Sequence, residues 1–226
     1  MQEKYYQNKL YPFQNEVLHF IQETNTSFYL TGGTALSRCY LTHRYSDDLD
    51  FFVNANLEFK KESTLIIDRL KEIPRWAVKI GMVSDSYIRL VLEKKKVFLK
   101  IDFVNDVKYH KGDIQNHTLF HQMDNWCNIL SNKLCALSRM DVKDIVDILF
   151  IAKKYEFNWR EVFQDAKEKD LWAEPLETCK ILTGFPKELL TTVKWISPVN
   201  LEMVSNDIAT LHNDIFLGQK NSLSVE

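Results

Sequence analysis

The sequence has no long apolar run, no excess of charge of either sign and no paired cysteines. No apolar stretch approaches the roughly 18 residues that a membrane span requires, and the first residues, Met-Gln-Glu-Lys-Tyr-Tyr, lack the basic and then apolar layout of a signal peptide. The net charge of −2 provides no overall basic excess of the kind that accompanies non-specific nucleic-acid binding. We therefore expect a cytoplasmic protein with no membrane contact.

The cysteines exclude zinc ribbons and thioredoxin-like redox motifs. Cys39, Cys127, Cys135 and Cys179 form no C-x-x-C pair and no cluster with histidine at zinc spacing. Most of them lie among apolar residues in predicted helices, as reduced thiols that pack like small apolar side chains do. With 226 residues, 45% of them hydrophobic, the chain can bury a substantial core.

The hydrophobic pattern predicts an α/β (α+β) first half and an all-α second half. Apolar spacing predicts helices over about 3–24, 34–42 and 59–72, and strands over about 27–30, 48–53, 76–84, 86–93 and 97–105. Nearly everything from 126 to 217 has helical periodicity. We expect a small mixed sheet flanked by helices in residues 1–112, with a helical domain, 113–226, packed on it.

A Gly-Gly pair stands where the first predicted strand leads into a helix, in the segment Thr31-Gly32-Gly33-Thr34. Without a Cβ, the backbone N–H groups can approach a phosphate closely, and the N-terminus of a helix favours negative charge. Thr34 can add a hydroxyl to such a site. The segment therefore predicts a phosphate cradle.

Two aspartates follow in the strand predicted at 48–53. Since side chains alternate along a strand, Asp48 and Asp50 point to one face, while Leu49 and Phe51 point to the other. Two carboxylates one strand repeat apart can bracket Mg²⁺, which completes its shell with water and phosphate oxygens. Asp-x-Asp also occurs by accident on surface strands, so further partners are needed.

Asp102 is a third candidate metal ligand. It stands in the otherwise apolar run Val97–Val104, where an isolated charge is costly to bury unless it is paired or binds a metal. The alternative is an edge strand whose Lys100 and Asp102 face water. The upstream Asp-x-Asp motif favours the metal ligand.

The helix predicted over 126–138 places Lys133 within its apolar stripe, so this side chain points inward or reaches to the edge. An inward lysine can contact a triphosphate as a point charge. Farther along, Asp141 resembles an N-cap, and Asp144 stands in the first turn that it begins. Asp147, one turn later, either faces the site or pairs with Lys143.

Taken together, these segments resemble the AbiEii/AbiGii nucleotidyltransferase toxins of the DNA polymerase β-like superfamily. The likeness covers about residues 28–155. It rests on Tyr-Leu-Thr-Gly-Gly-Thr-Ala-Leu (29–36), His-Arg-Tyr-Ser-Asp-Asp-Leu-Asp-Phe-Phe (43–52), Lys-Ile-Asp-Phe (100–103) and Asn-Lys-Leu-Cys-Ala-Leu-Ser-Arg-Met-Asp-Val-Lys-Asp-Ile-Val-Asp (132–147).

The resemblance implies nucleotidyl transfer from an NTP with two Mg²⁺ ions, or Mn²⁺, as cofactors. It assigns the metal to Asp48, Asp50 and Asp102, and catalytic charge stabilisation on the triphosphate to Lys133. The other implied substrate-binding positions are Gly32, Gly33, Thr34, Arg44, Ser46, Asp144 and Asp147. It also implies a toxin–antitoxin or phage-defence setting with a separate antitoxin, and RNA such as tRNA as a possible acceptor.

Three other functions remain open on the residues alone. The first is a small-molecule nucleotidyltransferase of the aminoglycoside-resistance kind. The second is a catalytically silent nucleotide-binding or interaction module of the same fold, although retention of three carboxylates and Lys133 disfavours it. The third is a metal-dependent glycosyltransferase that uses Asp-x-Asp, which the upstream Gly-Gly-Thr and the separate Asp102 fit poorly.

Overall fold

The computed structural model describes residues 2–224 and divides into two compact units. The first comprises the chain up to Cys39 together with Tyr45–Asn125, and the second comprises Tyr40–Arg44 and the chain from Trp126 onward. This grouping differs from the boundary after residue 112 that we expected. The difference arises because the segment 122–124 pairs with the strand that contains Leu30. The N–H group of Leu30 donates to the carbonyl oxygen of Gln122, and the N–H group of Asp124 donates to the carbonyl oxygen of Leu30.

The first unit is a five-stranded mixed sheet with helices. Its strands are β1 (Tyr29–Thr31), β2 (Leu49–Asn54), β3 (Ala77–Val83), β4 (Tyr87–Lys94) and β5 (Val97–Asp106), in the order β1-β2-β5-β4-β3. Only β2 and β5 pair in parallel; the other neighbours are antiparallel. The helices are α1 (Gln2–Tyr5), α2 (Tyr11–Gln22), α3 (Gly32–Ala35) and α4 (Phe59–Lys71), with π-helical turns at Tyr6–Leu10 and Leu36–Leu41.

One face of this sheet carries an aromatic core. Along β2, alternate residues are buried, and Phe51 stacks on Phe103 of β5 with ring centroids 5.6 Å apart. Phe28 packs edge-on against Phe103 at 5.0 Å and against Phe59 of α4 at 5.9 Å. The other face of β2 therefore retains its polar side chains, Asp50 among them.

The second unit is helical. Its helices are α5 (Trp126–Ala136), α6 (Val142–Lys154), α7 (Trp159–Lys167), α8 (Pro175–Gly184) and α9 (Leu201–Leu217), with 3₁₀ turns at Leu137–Arg139 and Lys187–Thr192. Side-chain caps begin three of them: Asp141, Asn158 and Asn200 each accept a hydrogen bond from the N–H group two residues later. The N-cap predicted at Asp141 is confirmed.

The predicted fold class is confirmed, and most predicted boundaries agree with the structure within a few residues. The helix after the Gly-Gly pair begins earlier than predicted, at Gly32, so the glycines form its first turn. β4 and β5 form a hairpin whose turn has Lys95 and Lys96 both at positive φ. Within residues 2–224, no helix is both long and apolar enough to span a lipid bilayer.

The aromatic core makes a stability prediction. Replacing fully buried Phe103 by Ala removes the ring that contacts Phe28 and Phe51, so we expect the free energy of unfolding to fall by about 3–5 kcal/mol. Phe98→Ala, on the same strand with its side chain mostly exposed, should change it by less than about 1 kcal/mol. Urea unfolding followed by circular dichroism measures both. Equal losses would mean that the Phe103 ring is not a core contact.

Candidate active site

Four side chains form a row across one face of the sheet. Asp50 lies in register with Thr31 of β1 on one side and with Asp102 of β5 on the other, and Asp102 lies in register with Arg89 of β4. Residues in register on neighbouring strands point to the same face. The pairing of β2 with β5 therefore brings together two of the three predicted metal ligands, and Asp48 immediately precedes β2.

Two basic side chains neutralise these carboxylates. The Lys100 ammonium lies 2.7 Å from Asp48 Oδ2 and 3.6 Å from Asp102 Oδ2. Arg89 donates from Nε and Nη2 to the two oxygens of Asp102, both at 2.8 Å. Burial opposes ionisation of Asp102, but the hydrogen bond from Arg89 and the charges of Lys100 and Arg89 outweigh it and hold the pKa of Asp102 below its usual value.

The same charged groups shift the pKa values of neighbouring side chains. Burial, followed by the charge of Asp102, raises the pKa of Tyr87 to about 12. Burial opposes the charge of Lys100, but the hydrogen bond and charge of Asp48 raise the pKa of this lysine overall. At neutral pH the face therefore carries ionised Asp102 beside charged Lys100 and Arg89.

The carboxylate side chains on this face offer ligands of the kind that a hard divalent cation binds. Carboxylate oxygens are the ligands that Mg²⁺ prefers, and Asp50 and Asp102 stand side by side. Over residues 2–224, however, no three His, Cys, Asp or Glu side chains are arranged ready to hold a metal ion. Lys100 contacts oxygens of Asp48 and Asp102, and a cation bound there would take over oxygens that Lys100 now contacts.

The glycine turn lies directly against this row. Gly32 has a φ of +68°, and a Cβ built on it would lie 2.5 Å from Asp50 Oδ2. Only glycine allows both that backbone conformation and the close approach of the carboxylate. The predicted phosphate cradle and the predicted metal ligand Asp50 are therefore adjacent.

Thr34 and Ser46 connect the turn to β2. The Thr34 hydroxyl donates to the carbonyl oxygen of Asp48 and lies 2.9 Å from Ser46 Oγ. Gln14 of α2 donates to the carbonyl oxygens of Ser46 and Asp47, each at 3.2 Å. Both hydroxyls are buried, so the structure gives Thr34 a contact within the fold rather than the exposed hydroxyl expected for a phosphate cradle.

Asp124 is a buried carboxylate that the sequence reasoning missed. Thr31 Oγ1 donates to its Oδ2 at 2.5 Å, and His110 Nε2 lies 3.0 Å from its Oδ1. Because Thr31 precedes the glycine turn, Asp124 connects the 107–125 segment to the start of that turn. No sequence signal marked it, since it comes from a loop far along the chain.

The remaining predicted residues meet in the helical unit, around Asp147. Arg44 donates from Nε and Nη2 to the two oxygens of Asp147, each at 2.7 Å, and the Lys133 ammonium lies 2.7 Å from Asp147 Oδ2. Lys133 also donates to Asp144 at 2.6 Å. The inward orientation predicted for Lys133 is thus observed, and Asp147 contacts Arg44 and Lys133, not Lys143, which pairs with Asp141.

Charge explains why this group is stable. Asp147 is fully buried, which opposes its ionisation, but the charges of Arg44 and Lys133 hold its pKa well below the usual value. Burial likewise opposes the charge on Lys133, and the charges of Asp147 and Asp144 raise its pKa overall. Arg44, one of the substrate-binding positions that the resemblance implies, is buried against Asp147.

His43 completes the group and was also missed. Its Nε2 lies 2.8 Å from Asp147 Oδ1, so the ring donates there, and its buried Nδ1 has no hydrogen-bond partner within the described chain. Burial lowers the pKa of His43, and the charges of Arg44 and Lys133 add to this against the opposing effect of Asp147. The ring is therefore neutral at pH 7.

Arg89 and His43 were both missed in the sequence analysis, although local features of the sequence point to them. In the hairpin of β4 and β5, Lys94 pairs with Val97, and this register places Arg89 opposite Asp102. His43 adjoins Arg44, which the resemblance had singled out.

The comparison with protein families decides the identity. The family model described as "Nucleotidyl transferase AbiEii toxin, Type IV TA system" matches residues 20–202, which is most of the chain. The chain belongs to the AbiEii nucleotidyltransferase toxin family. It is a nucleotidyltransferase toxin, and membership of a type IV toxin–antitoxin family implies an antitoxin and a nucleotide substrate. No curated protein sequence matches it.

Solved structures share the fold of this AbiEii-family toxin. JHP933 from Helicobacter pylori has 19% identity and a TM-score of 0.61, and the alignment covers 92% of each chain. MenT4, a nucleotidyltransferase toxin from Mycobacterium tuberculosis, has 12% identity and a TM-score of 0.61, over 92% of this chain and 82% of that one. At these identities the likeness concerns the fold.

The glycine turn makes the second prediction. Gly32→Ala should destabilise the AbiEii-family toxin by at least about 1 kcal/mol. The alanine would have to adopt a left-handed backbone conformation, and its Cβ would collide with Asp50 Oδ2. Gly184→Ala, where a Cβ meets nothing within 4 Å, is the matched control and should leave stability within about 0.5 kcal/mol. Urea unfolding of both variants is the measurement. A neutral Gly32→Ala would contradict the close approach of Asp50.

His43 makes a prediction about pH. Its folded-state pKa lies below the ordinary value of 6.5, so the unfolded chain takes up the proton first as the pH falls through that value. The free energy of unfolding should then decrease with falling pH, by up to about 1.4 kcal/mol per pH unit for this one group.

His43→Gln keeps a donor for Asp147 and removes the titration, so its stability should depend less steeply on pH between 7 and 5 than that of the wild type. His19→Gln, at an exposed position beside Glu23, is the control. Urea unfolding at several pH values tests this, and parallel curves for wild type and His43→Gln would refute the assignment.

Proposed function

We propose that this toxin transfers a nucleoside monophosphate from an NTP to a hydroxyl group of an RNA acceptor, tRNA included, with Mg²⁺ or Mn²⁺ as cofactor. One observation carries the proposal: the carboxylate of Asp50 lies against the Gly32 turn and, on its other side, in register with Asp102. The glycine turn and a pair of carboxylates thus lie side by side, the combination of phosphate-binding and charged groups that phosphoryl transfer to a nucleophile needs.

The reaction itself is a displacement at the α-phosphate. The acceptor oxygen forms a bond to the α-phosphorus, the bond from that phosphorus to the bridging oxygen breaks, and pyrophosphate leaves; the hydroxyl proton passes to solvent or to a nearby carboxylate. Asp48, Asp50 and Asp102 would hold the metal, which when bound would neutralise phosphate charge as a Lewis acid.

The protein's own groups have distinct parts in this proposal. Gly32, which has no Cβ, lets the backbone of the turn lie directly against the Asp50 carboxylate, and Gly32 and Gly33 are the residues whose N–H groups would contact the phosphate tail. Arg89 fixes both oxygens of Asp102, so this carboxylate is oriented before substrate arrives, and Thr34 with Ser46 fixes the backbone that leads to Asp48. The phosphate-contacting role that the resemblance implies for Lys133, and the use of Asp144 and Asp147 to orient it, stay predictions, as does a phage-defence setting.

Transfer of label from NTP tests the function. The purified protein is incubated with each α-³²P-labelled NTP, Mg²⁺ or Mn²⁺, and tRNA, other RNA, cell protein or a small-molecule extract in separate arms. We expect label in the RNA arm. Label in the small-molecule arm alone would replace RNA by an antibiotic-type acceptor, and nucleotide binding without transfer in every arm would favour a silent module.

Asp50→Asn tests the site. It keeps the side-chain size and removes the charge, so transfer should fall by at least about 100-fold, more than the loss typical of residues that only support a metal ligand. Asp85→Asn is the matched control, because Asp85 is an exposed aspartate of the same unit that pairs only with exposed Lys60 in the contacts described. Circular dichroism verifies folding of both. A fully active Asp50→Asn enzyme would remove Asp50 from the site.

A further inference from the structure

Arg38 is a half-buried arginine without an acidic partner in the part of the chain that the structure describes. Its Nη1 donates to Gln14 Oε1 at 3.2 Å and its Nη2 to Asn15 Oδ1 at 2.6 Å, and the guanidinium lies 4.5 Å from the ring centroid of Tyr11. Between residues 2 and 224, no Asp or Glu side chain lies within ion-pair distance of it. All its hydrogen-bond partners in that part of the chain are neutral amide oxygens.

Other basic side chains that are buried or partly buried have acidic partners. Arg44 is paired with Asp147, Arg89 with Asp102 and Lys100 with Asp48. A cation removed from water without a counter-charge is unfavourable, and burial accordingly lowers the pKa of Arg38. An anion that binds at Arg38 would relieve this cost.

The guanidinium has donors left for such an anion. A guanidinium carries five N–H groups in a rigid fork, and Arg38 uses two of them on Gln14 and Asn15. The flat contact with Tyr11 and the two amides hold the fork in place. A phosphate, which accepts two parallel N–H bonds from an arginine fork, matches the donors that remain.

Arg38 is also linked to the candidate active site within the same unit, through Gln14. It stands one helical turn after Thr34, whose hydroxyl contacts the backbone of Asp48. Gln14, which accepts from Arg38, donates to the carbonyl oxygens of Ser46 and Asp47. A single amide thus separates the guanidinium from the backbone leading to Asp48. The surrounding Leu36–Leu41 segment is π-helical, a conformation frequent at functional sites.

We infer that Arg38 is a phosphate-binding residue of this toxin, and that it takes either the triphosphate tail of the NTP or a backbone phosphate of the RNA acceptor. The inference rests on the proposed function only in naming these two sources of phosphate. Gln14, Asn15 and Tyr11 act as positioning residues that keep the fork open toward the ligand.

Binding without chemistry tests this inference. In EDTA, where no transfer occurs, inorganic triphosphate is titrated into the full-length protein by calorimetry, and a 5′-hydroxyl tRNA transcript is titrated by fluorescence anisotropy at several salt concentrations. Arg38→Gln should weaken one of these ligands by about 10- to 100-fold, the loss expected for a charge-assisted bond. Arg38→Lys, which keeps the charge and loses the fork, should fall between.

Arg75→Gln is the matched control. Arg75 is an arginine of the same unit that also lies over an aromatic ring, that of Trp76, but it has an acidic partner, Glu16. This variant should leave both affinities unchanged. Thermal unfolding of all three variants verifies that they fold.

The binding results distinguish between the two sources of phosphate, the NTP and the RNA. Loss confined to inorganic triphosphate assigns Arg38 to the NTP tail, whereas loss confined to tRNA, with a salt slope reduced by about one, assigns it to the RNA backbone. Unchanged binding of both ligands by folded Arg38→Gln would overturn the inference and leave Arg38 a structural contact of Tyr11. Because the assay contains no transfer step, failure of nucleotidyl transfer in the wild type would leave this result intact.

Discussion

A buried carboxylate is unfavourable by several kcal/mol unless a cation and hydrogen-bond donors compensate it, and both units of this protein depend on that compensation. In the sheet unit, Asp102 is held ionised by Arg89 and Lys100. In the helical unit, Asp147 is held ionised by Arg44 and Lys133, with neutral His43 completing its hydrogen bonds. Removing one basic partner would leave each carboxylate with a single cation, and the loss would be greater at fully buried Asp147 than at the slightly more exposed Asp102.

This constraint connects fold and chemistry. A row of acidic side chains on one sheet face repels itself, so the flanking strands supply cations at matching register positions, as Arg89 does opposite Asp102. The same cations keep Asp102 ionised, which is the form that binds a divalent metal. In the proposed function, the residues that stabilise this acidic face are therefore also those that prepare it for nucleotide.

Arg38 is an exception to this pattern. It is held by neutral amides and a tyrosine ring where its neighbours are held by carboxylates. A nucleotidyltransferase handles two polyanions if its acceptor is RNA, and a positive charge left uncompensated beside the site favours their approach. The modest net charge of the chain is compatible with this, because what matters is where single charges lie and how well they are paired.

Much of this could be predicted from local patterns. Alternation along residues 48–53 predicted the acidic and apolar faces of β2, helical periodicity predicted that Lys133 points inward, and the Asp141 cap follows from the residue preferences of helix ends. These features depend on neighbours within a few positions, where backbone geometry dictates which side chains share a face.

Contacts between distant segments were beyond such reasoning. The sequence by itself determined the fold class, the family and the positions of the carboxylates, because periodicity and short motifs are local properties. Only the tertiary structure decided that Arg44 and His43 join Asp147, that Thr34 turns inward to Asp48, that Asp124 reaches Thr31, and that Arg38 has no acidic partner among residues 2–224. The physical reason is that pairing and burial of a charge depend on which residues the folded chain brings together, and no single stretch of sequence carries that information.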